Sequence, residues 1–305
     1  MSDWWVKYQG VIPSAGVFFP EEDWLSLHSS SCHKLHTYRY PVSNPRALIF
    51  LFHGSFSSSS YYTHFASKLA KQKFEVLAFD QAGHGKSSGP RGVYSDLNNT
   101  YEDAAEYIFR AKEHYPKDTP IFLAGDGIGG TICLEIALSY PAVIKGLILF
   151  APQIGVNSNF SRCQYKFSKW ISFCYPAMLA EPIDIETLSR NPHNTSWWNE
   201  NPDMVKGRIQ IGTTVNLINA IERLRGRLWD IKTPFILFQG GKDNFSDPEQ
   251  AETFGRWSRA EDKEFVIYEN MHHFIANEPE FPEIIGRTIN WLSLRLEHLE
   301  MNNHL

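Results

Sequence analysis

Six short apolar segments alternate with helical patterns along the chain, and this alternation constrains the fold more than any other feature. The segments are rich in β-branched and aromatic residues, and most are apolar throughout, as in strands that are covered on both faces. They comprise residues 46–52, 74–80, 119–125, 144–150, 233–239 and 264–269. Helical patterns fall near residues 59–72, 98–115, 128–140, 248–259 and 281–298. This repeat predicts a mainly parallel sheet with right-handed crossovers, preceded by antiparallel strands at 24–28 and 36–42.

The stretch 153–230 interrupts this rhythm, because it offers helices but no good central strand. One helix face carries an apolar stripe of Phe160, Cys163, Phe167, Trp170 and Cys174. A second stripe consists of Ile211, Val215, Ile218 and Ile221. These helices either pack on the edge of the sheet or form a lid over the carboxyl ends of the strands, where α/β folds place their sites. We favour the lid, and expect a core of residues 1–152 and 231–305 with a helical cap at 153–230.

The composition narrows the class of protein. The 305 residues are enough to bury a large core without disulfides or metal ions. A formal net charge of −5 and the lack of a long basic run argue against a nucleic-acid partner. Four cysteines without metal-ligand spacing predict reduced thiols, and a disulfide between Cys163 and Cys174 is the less favoured alternative. With no recognisable signal peptide, transit peptide or membrane span, we expect an intracellular, cytoplasmic protein.

Loops that can carry chemistry follow four of the predicted strands. The first strand leads into residues 53–56, a small-residue turn that can direct backbone N–H groups at a developing oxyanion. The last two strands are followed by Asp243 and by His273. A carboxylate and then an imidazole in these positions reproduce the later part of the chain order nucleophile, acid, base of α/β-hydrolases.

The third predicted strand runs directly into residues 125–130, with the sequence GDGIGG, and then into a helix. This is the setting of a nucleophile elbow, but its central residue is Gly127, which has no side chain to attack a carbonyl. Asp126 is excluded as a substitute nucleophile, because Ile128 would fall where a small residue is needed. The same residues match G-x-G-x-x-G, but no acidic residue follows at the end of the next strand, so we reject a dinucleotide site.

Four further segments are similar to those of one family. Residues 80–89 match D-x-x-G-H-G-x-S-x-G, residues 239–243 match a loop that bears a catalytic Asp, and residues 273–278 match H-x-x-x-x-E. Residues 182–202 resemble a cap segment. The chain therefore resembles the monoacylglycerol lipase-like α/β-hydrolases that are grouped with serine aminopeptidase S33.

The resemblance implies an eight-stranded, mostly parallel sheet flanked by helices, with Asp243 and His273 as catalytic residues. It also implies an oxyanion hole formed by the amides of Ser55 and Ile128, and hydrolysis of lipid esters through an acyl-enzyme without cofactor or metal. The cap would cover a tunnel for an acyl chain and contact membranes. The aromatic ligand-binding residues expected in the cap are Phe160, Phe167 and Trp170.

Two residues depart from the family pattern. Gly127 stands in place of the nucleophilic serine, and Phe56 stands in place of the second glycine of H-G-x-G. We therefore expect a pseudoenzyme that binds a lipid-like acyl ligand, or a protein partner within an assembly. The alternative is a serine hydrolase whose nucleophile has been replaced by Gly127. The least favoured hypothesis is an enzyme that uses a water molecule activated by His273 and Asp243.

Overall fold

The computed structural model describes residues 20–155, 162–182 and 184–303. Its strands are β1 (Glu21–Glu22), β2 (Leu27–His28), β3 (Lys34–Leu35), β4 (Thr37–Tyr40), β5 (Ala47–Phe52), β6 (Phe74–Phe79), β7 (Ile121–Asp126), β8 (Ile144–Phe150), β9 (Leu179–Pro182), β10 (Arg208–Gln210), β11 (Phe235–Gly240) and β12 (Lys263–Tyr268). Its helices are α1 (Thr63–Lys71), α2 (Leu97–Lys112), α3 (Ile128–Ser139), α4 (Arg162–Cys174), α5 (Pro192–Glu200), α6 (Ile211–Arg225), α7 (Pro248–Trp257) and α8 (Phe281–Asn303). Within these ranges, no helix has the combination of length and hydropathy that a bilayer span requires.

The central sheet has eight strands in the order β1-β4-β6-β5-β7-β8-β11-β12. β1 and β4 pair antiparallel, as do β4 and β6. The remaining neighbours in the sheet, β6-β5-β7-β8-β11-β12, all pair parallel. Every residue of β5, β6, β7 and β11 is buried, which explains why these segments are predominantly apolar instead of alternating. The predicted fold class, an α/β-hydrolase fold with a mostly parallel eight-stranded sheet, is confirmed.

Helices cover both faces of this sheet. One face packs against α1 and α8, which contribute large buried side chains such as Phe65 and Trp291. The other face packs against α2, α3 and α7, with Tyr107, Ile132 and Phe254 in its core. All the parallel strands consequently direct their carboxyl ends toward one edge, where the loops that follow them meet.

The leading strands differ in part from the prediction. The expected strand at 24–28 shortens to β2, which pairs with β3 in a separate hairpin instead of joining the central sheet. β1, which the sequence did not predict, takes the edge position beside β4. Two turns account for this arrangement, since Asp23 has a φ of 51° and Cys32 a φ of 62°. Both residues reverse the chain in the left-handed region.

The stretch 153–230 contains α4, α5, α6 and a small antiparallel sheet of β9 and β10, which the sequence did not predict. The second predicted stripe faces inward, because Val215, Ile218 and Ile221 are buried. On α4, in contrast, Phe167 and Trp170 are each 62% exposed. Phe160 lies outside the described residues. The division of the chain into core and cap stays a prediction.

Candidate active site

The turn between β7 and α3 has the geometry of a nucleophile elbow. Gly127 connects Asp126 to Ile128 with φ 52° and ψ −115°, a conformation that residues with side chains rarely adopt. The flanking glycines allow the strand and the helix to approach closely. A Cβ atom on Gly125 would lie 2.3 Å from the Gly129 carbonyl oxygen, and one on Gly129 would lie 2.0 Å from the Phe52 carbonyl oxygen.

Asp243 and His273 meet in the loops that follow β11 and β12. His273 Nδ1 lies 2.9 Å from Asp243 Oδ2, and both side chains are buried. Asp243 Oδ1 accepts hydrogen bonds from the amides of Phe245, at 2.8 Å, and Ser246, at 3.0 Å. Its Oδ2 also accepts from Gln239 Nε2 at 3.0 Å. These bonds hold the carboxylate in place, and the carboxylate orients the imidazole.

Asp243 and His273 each stabilise the charged form of the other. Burial alone would raise the pKa of Asp243, but the charge of His273 and the hydrogen bonds to the carboxylate lower it below its ordinary value. Burial likewise disfavours the charged imidazole, but Asp243, with a smaller contribution from Asp126, raises the pKa of His273. The hydrogen bond falls on His273, the histidine that the spacing to Glu278 selected, and not on His272.

Gly127 lies directly beside this imidazole. A Cβ atom on Gly127 would lie 3.3 Å from His273 Nε2 and 3.9 Å from the Cα atom of Gly54. Since Nδ1 faces Asp243, Nε2 is the nitrogen that faces the elbow. The structure therefore brings the loops after β5, β7, β11 and β12 together at one place, with Gly127 at their centre.

The loop after β5 is held by a buried histidine. His53 Nε2 accepts a hydrogen bond from the Gln81 amide at 3.0 Å, so its Nδ1 carries the proton and donates to the Gly54 carbonyl at 2.8 Å. Burial lowers the pKa of His53, which favours this neutral form. Ser55 follows in the same loop. Ile128 is the first residue of α3, and the first amides of a helix have no acceptor within the helix. Their service as oxyanion donors stays a prediction.

Phe56 keeps the backbone conformation that a glycine would favour at its position. Its φ is 63°, which strains a residue with a large side chain. The side chain is buried, with its ring centroid 6.2 Å from that of His84 and 6.4 Å from that of Tyr94. The Phe56 carbonyl accepts a hydrogen bond from the Val205 amide at 2.9 Å. The ring therefore fills space beside the loop that a glycine would leave open.

Asp126 is a second buried carboxyl group at the site, and its pairing with Tyr62 was not predictable from the sequence. The Tyr62 hydroxyl donates a short hydrogen bond to Asp126 Oδ2. Within the described residues, Asp126 Oδ1 has no hydrogen-bond partner. Burial raises the pKa of Asp126 to about 6, although the charge of His273 and the Tyr62 hydroxyl act in the opposite direction.

The loops enclose a cavity of about 10 Å³ beside His273, which is room for roughly one water molecule. It is lined by Gly54, Ser55, Phe56, Ser57, Asp126, Ile185, Leu188, Trp198, Phe245, His273 and Phe274. A second cavity of about 90 Å³ lies on the other side of Phe56, Ile185 and Trp198. Phe167 and Trp170 line neither cavity, so their role as ligand contacts stays a prediction. No group of three metal-ligating side chains occurs in the part of the chain that the structure describes.

A segment that we name the strap, residues 188–205, covers this cavity. Its first residues bind Glu278, whose buried carboxylate accepts from Ser189 Oγ at 2.8 Å, the Arg190 amide at 2.9 Å and Arg190 Nε at 2.7 Å. Further along the strap, the ring of Trp198 stacks on Phe274 with centroids 5.1 Å apart. The strap is thereby joined to the loop that carries His273.

The sheet, the elbow and the Asp243–His273 pair together define an α/β-hydrolase. A family model described as serine aminopeptidase, S33, matches residues 43–280, and the chain belongs to this family.

Known proteins resemble the chain over most of its length. Monoglyceride lipase of Mus musculus is 31% identical over 262 residues, which cover 85% of this chain and 86% of the relative. The crystal structure of Paleococcus ferrophilus monoacylglycerol lipase is 27% identical with a TM-score of 0.73, covering 85% of this chain and 99% of that one. A soluble variant of monoglyceride lipase from Saccharomyces cerevisiae, 20% identical, shares the fold with a TM-score of 0.80, covering 94% of this chain and 99% of that one.

Proposed function

We propose that this protein is a pseudoenzyme of the monoacylglycerol lipase-like family, which binds a lipid-like acyl ligand without hydrolysing it. One observation carries the proposal. Gly127 occupies the backbone position from which a nucleophile would reach His273. A Cβ atom on Gly127 would lie 3.3 Å from His273 Nε2. Without a hydroxyl group there, His273 has no side chain to deprotonate and no acyl-enzyme can form.

The size of the expected loss supports this proposal. Removing the nucleophile of a comparable serine hydrolase lowers kcat by about 10⁶. What survives in such a case is binding and the oxyanion hole, which give about 10³–10⁴ over the reaction in water. Phe56 weakens that remainder further, because its ring lines the cavity beside Gly54 and Ser55. The lipid ligand class rests on the monoglyceride lipases among the relatives.

The alternative function is a serine hydrolase of the same family in which Gly127 has replaced the nucleophilic serine. The intact hydrogen bond between Asp243 and His273 favours it, because a base without a nucleophile has no need of an orienting carboxylate. A single substitution would account for Gly127 but leaves Phe56 unexplained. We therefore prefer natural loss of activity.

Hydrolysis of a monoacylglycerol by three forms of the chain distinguishes these functions. The unmodified chain and Gly127→Ala should show no enzymatic turnover, and Gly127→Ala controls for the strain that any side chain brings to this turn. Turnover by the unmodified chain above about 1 s⁻¹, a rate typical of enzymes, would disprove the pseudoenzyme.

The Gly127→Ser variant distinguishes natural loss of activity from a recent or engineered replacement of the serine. Restored hydrolysis, together with labelling by a fluorophosphonate probe that spares Gly127→Ala, would favour a recent or engineered loss. If Gly127→Ser stays silent and unlabelled, the oxyanion side of the site is also lost. The double variant with Phe56→Gly then tests whether the Phe56 ring is the cause.

We also propose that α4 and the residues after it contact a membrane surface. Their exposed large side chains, which we name the α4 surface, are Phe167, Trp170, Phe173, Tyr175, Met178 and Leu179. Six exposed large apolar side chains within one short stretch form a patch of the kind that marks an interaction site. Aromatic rings suit the boundary between headgroups and acyl chains. A protein partner bound to the same surface is the alternative.

A further inference from the structure

Three buried polar atoms at the small cavity lack hydrogen-bond partners among the described residues. They are Asp126 Oδ1, Trp198 Nε1 and Ser57 Oγ. All three residues line the cavity of about 10 Å³ beside His273. Buried polar atoms in native proteins are nearly always hydrogen-bonded, so three such atoms around one small space indicate a polar group that binds there.

We propose that this cavity is a hydroxyl-binding subsite, in which the ligand hydroxyl donates to Asp126 Oδ1 and accepts from Trp198 Nε1. A hydroxyl is the smallest organic group that both donates and accepts. An ionised carboxylate only accepts and an indole N–H only donates, so the two atoms require opposite roles of the ligand. An ester carbonyl or an ether oxygen can satisfy Trp198, but neither can satisfy Asp126.

The two key side chains are held in place by their neighbours. The Tyr62 hydroxyl donates to Asp126 Oδ2, and Oδ1 is the carboxylate oxygen that lacks a partner in the described part of the chain. The indole of Trp198 lies between two aromatic rings, with centroids 5.6 Å from Tyr61 and 5.1 Å from Phe274. Groups that are fixed before binding lose little conformational entropy when the ligand arrives.

The remainder of the ligand is expected to be apolar. Phe56, Ile185 and Trp198 line both the subsite and the cavity of about 90 Å³, and so lie between them. The second cavity is also lined by Val205 and Ile209, with Asn199 and Lys206 as its polar residues. A chain attached to the hydroxyl would reach this second cavity when one of the separating side chains turns. The ligand class is therefore a primary alcohol on an apolar chain. A fatty acid is disfavoured, because its carboxylate would lie beside Asp126.

This inference rests on the proposed function only in that the site binds without cleaving. The probes are 1-dodecanol and dodecyl methyl ether, which differ in one O–H donor and contain no ester. Calorimetric titration of the unmodified chain should show the alcohol binding at least about tenfold more tightly, as expected for a hydrogen bond to a charged group. Equal affinities would overturn the proposal.

Two variants show whether Asp126 is the cause. In Asp126→Asn the side-chain amide can donate to the ether, so the preference should fall to within about threefold. Ser258→Ala is the matched control, since the Ser258 hydroxyl is also buried without a hydrogen-bond partner among the described residues but lines neither cavity, so its loss should leave the ratio unchanged. An unchanged ratio in Asp126→Asn would contradict the assignment. The ratio in the unmodified chain remains decisive even where a variant does not fold.

Binding of neither probe would mean that the cavity holds only water, and would also overturn the proposal. Because neither probe can be hydrolysed, this result is independent of the monoacylglycerol assay. Turnover by the unmodified chain would refute the pseudoenzyme while leaving the alcohol preference to be judged on its own.

Discussion

At position 127 the backbone turns from strand into helix with φ 52° and ψ −115°. A glycine adopts this conformation without strain, whereas a serine or alanine must be held there by the surrounding structure. Room for a side chain nevertheless exists, because the contact that a Cβ atom would make with His273 Nε2, at 3.3 Å, is tight but not a clash. Because a residue with a side chain is strained at this φ, a serine at this position should lower the stability of the fold.

We expect Gly127→Ser and Gly127→Ala each to lower the free energy of unfolding by about 1–3 kcal/mol. Urea unfolding of both variants measures the effect. Gly286→Ala is the control, because a Cβ atom there meets nothing within 4 Å and Gly286 lies inside α8. That substitution should stabilise the chain by about 0.5–1 kcal/mol. Equal or higher stability of Gly127→Ala would show that the elbow is unstrained.

Asp126 should make stability depend on pH. Its folded-state pKa of about 6 lies above the value of an unfolded chain, so the folded chain holds a proton that the unfolded chain has released. The burial of Asp126 therefore reduces stability progressively as the pH rises from about 4, the ordinary pKa of an aspartate, to about 6, and the effect is constant on either side of that window. Relative to the unmodified chain, Asp126→Asn should gain up to about 3 kcal/mol between about pH 4 and about pH 8. Urea titrations at the two pH values measure this difference, and a constant difference would refute the prediction.

At the scale of elements, the strap and the loop after β12 form one unit. Glu278 lies in that loop, five residues after His273, and accepts three hydrogen bonds from Ser189 and Arg190. The Phe274 amide also donates to the Leu188 carbonyl at 3.0 Å. The glutamate of the H-x-x-x-x-E segment thus has a structural reason, because it joins the strap to the loop that carries the histidine.

Arg190→Ala should lower the free energy of unfolding by about 1–3 kcal/mol, because the buried Glu278 carboxylate loses its cation. Chemical denaturation gives this value. Arg287→Ala is the control, since its ion pair with Glu283 is exposed and should contribute less than about 0.5 kcal/mol. Equal effects of the two substitutions would mean that the strap is not held by Glu278.

At the scale of the whole molecule, the large aromatic side chains divide into two groups. Phe65 and Trp291 are among those that fill the core, whereas Phe173 on α4 is 89% exposed. The sheet, its flanking helices and the small cavity need none of the exposed rings. Four of the exposed rings, those of Phe167, Trp170, Phe173 and Tyr175, lie on α4 and the residue after it, and this concentration favours an interaction outside the molecule.

Flotation with neutral phosphatidylcholine vesicles tests the α4 surface. The unmodified chain should float, and the double variant Trp170→Ser/Phe173→Ser should remain in the bottom fraction. Trp257→Ser is the control, because Trp257 is 71% exposed but lies on α7. If Trp257→Ser reduces flotation as strongly as the double variant, or if the unmodified chain does not float, the membrane proposal is wrong.

The central sheet was predictable because its signal is local. Strands such as β5 and β7 are continuous apolar runs, and the residues that end them are recognisable from the sequence. The positions of Asp243 and His273 after successive strands followed from the same pattern. β1 and the β9–β10 pair were missed, because strands of two to four residues have too little periodicity to be recognised.

The sequence by itself determined the α/β-hydrolase fold and the identity of Gly127, since both depend on residue type and on spacing along one stretch of chain. Only the tertiary structure decided what surrounds that glycine. Tyr62 and Asp126 are 64 positions apart, and Arg190 and Glu278 are 88 apart. Contacts of this range depend on how strands and helices pack, and short motifs contain no information about that packing. The small cavity with its unpartnered polar atoms is a product of those contacts.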